Sequence, residues 1–122
     1  MSKERARLDS QSREPLEGLL SVMPGGFNSI PDIVQRRQVV GQLMVEPELD
    51  ARVTMVDKVI DGPGGEQRIR IYTPKNASSK APGLLLIHGG GMIMGSIEAE
   101  AGTAQMLCAE TGAVVVSTDY RK

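Results

Sequence analysis

The chain has 122 residues, 40% of them hydrophobic and 24% charged, so it has one domain's length and a globular composition. Fourteen Lys plus Arg against fifteen Asp plus Glu give a net charge of −1, and there are one Phe, two Tyr and no Trp. That balance excludes the basic patch and the stacking platforms expected of a nucleic-acid binder, and it offers no attraction to an anionic membrane.

Taken in chain order, the opening "MSKERARLDSQSREP" is charged, with no apolar core of a signal peptide behind it. Leu16, Leu19, Leu20 and Met23 then form a short helical stripe ended by Pro24-Gly25-Gly26. Past Pro31, Asp32 is placed to cap a second helix carrying Ile33, Val40, Leu43 and Met44, with Pro47 closing it and Gly41 weakening it. No apolar run reaches the roughly 20 residues of a membrane span. The expectation is a soluble, cytoplasmic protein without stable membrane insertion.

From Val53 the period changes to two. "RVTMVDKVI" and "RIRIY" read as strands around the turn-rich "DGPGG", an antiparallel hairpin or ribbon. Arg68 and Arg70 alternate with Ile69 and Ile71, which predicts a solvated strand face. "LLLIH" at 84–88 and "AVVVSTDY" at 113–120 are unalternated apolar runs, each expected to be buried on both faces. Between them Ile97, Ala101, Ala104 and Cys108 mark one helical face that ends near Gly112. Strand, helix, strand makes a βαβ unit with parallel strands, so the fold class is α/β.

The candidate site is His88-Gly89-Gly90-Gly91, at the carboxyl end of the first apolar strand, where open α/β sheets bind ligands. Three consecutive glycines leave the backbone bare enough for a ligand atom to approach the N–H groups. A ligand-free tight turn is one explanation. Phosphate binding is another: Gly90 to Ser96 has the outline GxxxxGS, but the lysine before the serine is missing, and Met94 replaces the third Rossmann glycine. The third is an oxyanion hole, in which fixed N–H donors meet the charge that develops when an ester carbonyl is attacked. One such donor is worth about 10²–10³ in rate, roughly 3–4 kcal/mol.

"APGLLLIHGGGMIMGS", a helix, then "TGAVVVSTDYR" resembles the hormone-sensitive-lipase family of carboxylesterases and lipases, an α/β-hydrolase group with the HGGG motif after a strand. The resemblance implies a helical cap segment over residues 1–48. It also implies the first part of the hydrolase core over 49–122: an antiparallel strand pair and a βαβ unit, leaving the sheet incomplete. It further implies hydrolysis of short- to medium-chain carboxylic esters, small-molecule substrates, through an acyl-enzyme on serine and with no cofactor. Gly90 and Gly91 would donate to the oxyanion, Gly89 would shape the turn, and His88 would orient the loop. Asp119, Tyr120 and Arg121 match the family's "DYR", which supports the floor of the site; Lys122 stands where an apolar residue is usual. Phe27, Ile33 and Met92 are candidate pocket-lining residues.

The rest of a serine hydrolase is not in these residues. None of the nine serines has glycine two positions before it, and no histidine follows His88, so nucleophile, acid and base are absent. Cys108, on a packed helical face, reads as a core residue, and one His with one Cys cannot assemble a metal centre. The expectation is the N-terminal piece of an esterase, inactive alone; the alternative is a non-catalytic binding or assembly module. With its neighbours missing, "AVVVS" is expected to lie unpaired at a sheet edge, leaving the chain marginal and prone to self-association.

Overall fold

In the computed structural model, which describes residues 7–122, the chain divides into two compact units after Arg36. In the first, α1 (Ser10–Val22) starts where the Asp9 carboxylate accepts from the Ser12 amide at 2.9 Å, satisfying one of the unpaired donors of the first turn. A single 3₁₀ turn follows at Phe27–Ser29. The helix α2 (Ile33–Leu43) crosses the division, and Asp32 caps it as expected by accepting from the Gln35 amide at 2.7 Å.

The second unit is a four-stranded sheet with one crossover helix. β1 (Val53–Gly62) and β2 (Gly65–Pro74) form an antiparallel hairpin closed by Pro63 and Gly64, with Gly62 opposite Gly65. β3 (Gly83–Ile87) leads through the glycine run into α3 (Ala101–Thr111), which Gly112 ends in the left-handed conformation. β4 (Val114–Asp119) returns parallel to β3 and antiparallel to β2, giving the order β1-β2-β4-β3. The α/β class and the βαβ unit are therefore as the sequence indicates.

The core lies where α3 covers one face of the sheet. Val53, Tyr72, Ala104, Cys108 and Val115 are buried together, with Met55, Leu86 and Leu107 packed at the margin. Cys108 is a core thiol, pushed up in pKa by burial and then by the Asp50 charge. Gln105, also buried, accepts from the Asp50 amide at 2.7 Å and donates to the Glu48 carbonyl at 3.0 Å, tying the approach to β1 onto α3.

Three expectations are corrected. The "AVVVS" strand is not at an edge: β4 fills the middle of the sheet, paired on both sides, because the crossover returns it between β2 and β3. The edge belongs instead to β3, and its "LLLI" run is not buried on both faces; Leu85 is 65% and Ile87 61% exposed on the face away from α3. Nor are the β2 arginines solvated alike. Arg70 is 5% exposed, its guanidinium bound by Asp57 through Nε at 2.6 Å and by Glu46, because its register opposite Asp57 turns it under the helix side of the sheet. Hydrogen bonding to Asp57 raises its pKa despite desolvation.

Candidate functional site

The apolar run of β3 ends at His88, whose ring is enclosed. Its Nδ1 lies 2.7 Å from the Gly89 carbonyl oxygen; a carbonyl only accepts, so Nδ1 carries the proton and donates. The other ring nitrogen, Nε2, is buried 3.5 Å from Asp119 Oδ1 and has no hydrogen-bond partner among the described residues. Tyr120 completes the clamp: its ring stacks on the imidazole at 4.3 Å, and its hydroxyl donates to the His88 carbonyl at 3.0 Å.

The glycine run then turns sharply. Gly90 has φ +124° and its carbonyl accepts from the amides of Ile93 and Met94, at 3.2 and 3.0 Å. A Cβ on Gly90 would collide with the Met94 carbonyl, and one on Gly95 (φ +93°) with the Gly89 carbonyl and the His88 ring. Gly89 has no such restriction, since nothing lies within 4 Å of a Cβ built there. Backbone geometry therefore demands glycine at 90 and 95, while openness is the property of 89. Among the described residues, no carbonyl or side chain accepts from the amides of Gly90 or Gly91, and both residues are exposed.

Two cations pin the far side of the turn. Arg37 Nε of α2 donates to the Ile93 carbonyl at 2.6 Å, and Lys122 Nζ donates to the Gly95 carbonyl at 2.6 Å and to Asp119 Oδ1 at 2.7 Å. Asp119 also meets Arg68 at 3.2 Å, and Arg68 in turn pairs with Glu98 at 2.7 Å. Burial pushes the Asp119 carboxyl up, but Lys122 and Arg68 outweigh it and hold it below the usual carboxylate range.

The structure thus brings His88, the three glycines, Asp119, Tyr120 and Lys122 into one cluster. Arg121 lies instead against Gly64 of the hairpin turn, where it lines an open cavity of about 340 Å³ to which Gly89, Gly90 and Gly91 contribute nothing. Met92 is 76% exposed at φ +62°, and Phe27 and Ile33 belong to the first compact unit. A smaller cavity of about 100 Å³ beside the turn is walled by Val40, Met44 and Met94. The sequence reading missed Arg37 and Gly95. The second could have been found, because Gly95 repeats the glycine signal within the same short loop. No group of three metal-ligating side chains occurs among the described residues.

Residues 84–122 match the family model described as alpha/beta hydrolase fold. Esterase LipI of Mycobacterium tuberculosis is 38% identical over 96 residues, covering 77% of this chain and 29% of that protein. The chain is similar to the hormone-sensitive-lipase-like carboxylesterases and shares their α/β-hydrolase fold. Within that family, versiconal hemiacetal acetate esterase of Aspergillus parasiticus is 36% identical over 76 residues, 62% of this chain and 23% of that one. The solved ester-hydrolase EH1AB1, from the metagenome of Lake Arreo, superposes with a TM-score of 0.79 at 26% identity, covering 93% of this chain and 38% of that one. The chain therefore spans about a third of the length of these esterases. No helix among the described residues is long and apolar enough to cross a membrane.

Proposed function

We propose that the 88–91 loop is the oxyanion-stabilising part of a serine carboxylesterase that hydrolyses short- to medium-chain carboxylic esters. In this reading residues 1–48 are a helical cap segment and 49–122 the opening part of the hydrolase core. The observation that carries it is the pair of exposed glycines, Gly90 and Gly91, whose amides have no acceptor among the described residues, on a turn held from both sides. Donors that are fixed before the reaction stabilise a developing oxyanion without paying for reorganisation at the moment of attack. His88 orients this loop: its enclosed ring bonds the Gly89 carbonyl and has no opening through which to take a proton from a nucleophile.

Nothing in the 122 residues attacks a carbonyl, so the chain alone is expected to be inactive toward p-nitrophenyl acetate. Turnover abolished by a serine-directed inhibitor would contradict that. The decisive test is the native locus. A reading frame that continues past codon 122 into G-x-S-x-G, an acid and a histidine, and whose product hydrolyses short-chain esters, supports the esterase. A native stop codon there, with no hydrolysis, would leave the non-catalytic binding or assembly module.

A further inference from the structure

We propose that the small cavity beside the glycine turn binds a short aliphatic carboxylate, with Arg37 as its anion-binding group. Its walls come from α2 (Arg37, Val40, Gly41) and Met44 just past it, from Met94 to Ser96 and Ala99, and from Lys122, and no carboxylate is among them. The two cations are not equivalent. Lys122 is already compensated by Asp119 and by the Gly95 carbonyl. Arg37 spends one N–H on the Ile93 carbonyl, and its other four have no acceptor among the described residues. It is half-buried, so that charge meets an anion with less competition from water than at an open surface.

The remaining walls choose the kind of anion. Val40, Met44, Met94 and Ala99 are apolar, which suits a hydrocarbon body and would strand the spare oxygens of a phosphate. One uncompensated guanidinium matches one carboxylate, in the forked geometry these groups share. About 100 Å³ is the bulk of roughly three water molecules, room for a few carbon atoms. The binding claim stands apart from the oxyanion reading. If both hold, the esters handled here include hemiesters of short dicarboxylic acids.

The test is a titration of the ¹⁵N-labelled chain at constant ionic strength with butyrate, butyramide, monomethyl succinate and inorganic phosphate. Butyrate is expected to shift the Arg37 Nε–H, Met44, Gly95 and Ser96 signals saturably, and neutral butyramide is not. Arg37→Gln is expected to weaken butyrate binding by about tenfold or more, whereas Lys122→Met changes it far less. Binding of monomethyl succinate as well as butyrate supports the site with the hemiester as ligand; butyrate alone supports it with the free acid. Equal responses to butyrate and butyramide, phosphate binding without butyrate, or no saturation would overturn the proposal. The wild-type comparison decides even where Arg37→Gln does not fold. Shifts confined to Gly90 and Gly91 would bear on the oxyanion reading instead.

Discussion

β3 and β4 carry nearly the same signature, a run of aliphatic residues without alternation, and end in different surroundings. β4 is paired on both edges, with Val115 and Ser117 inaccessible, and it delivers Asp119 to the charged cluster. β3 is paired on one edge only and presents Leu85 and Ile87 to solvent. An apolar run states what a strand tolerates. What covers it is set by which strands and helices become its neighbours. The exposed side of β3 continues across the sheet through Val116, Ile71 and Val56, which share its register row and its face.

The contrast can be broken hardest at its buried end. Val115→Asp places a charge among Tyr72, Cys108 and Ala104 and is expected to abolish cooperative unfolding in urea. The same exchange at Leu85 leaves a transition, and equal damage at both sites would refute the distinction between the strands.

Acid tests the charges gathered at the end of β4. The carboxyls of Asp57, Glu98 and Asp119 all lie below their usual range. For Asp57 the leading cause is its bond to Arg70; for Glu98 and Asp119 burial pushes up and the cationic partners prevail. The folded chain thus holds these protons less readily than the unfolded one. Their stabilisation is complete above the ordinary carboxylate pKa of about 4 and is lost as pH falls through the depressed values. The urea midpoint is expected to be level from pH 5 to 8 and to drop below about pH 4, and a midpoint that rises on acidification would contradict this.

A smaller effect separates two neighbours within the glycine run. Gly90→Ala meets the Met94 carbonyl at a positive φ and is expected to cost about 1–3 kcal/mol and to displace the turn. Gly89→Ala enters open space, with a change within about 0.5 kcal/mol. Paired denaturation curves decide between them. Leu85→Lys at the sheet edge is likewise expected to change stability by no more than about 0.5 kcal/mol. It should nonetheless reduce self-association in sedimentation velocity, since edge lysines oppose strand pairing between molecules. Association unchanged by that substitution would place the sticky surface elsewhere.

Much of this was legible beforehand, for reasons local to the chain. The Asp32 cap, the "DGPGG" hairpin, the Ala101–Cys108 face and the glycine run are each dictated by residues adjacent in sequence or one helical turn apart. Arg70 was misread because period-two alternation fixes which face a side chain takes, and cannot say whether that face carries a helix and two carboxylates. Arg37 escaped notice because its partner, the Ile93 carbonyl, lies 56 positions away and a backbone oxygen leaves no mark in a residue pattern.

The amino-acid order by itself determined the elements, the α/β class and the place where the backbone is bare, since these follow from propensities and periodicities that act over a few residues. The tertiary structure alone decided that β4 and not β3 sits inside the sheet, and that His88 is locked between Tyr120 and Asp119. It also decided that the turn is held by cations from both ends of its unit. These outcomes depend on strand order and on contacts between distant segments, which are chosen by the free energy of the whole packed assembly.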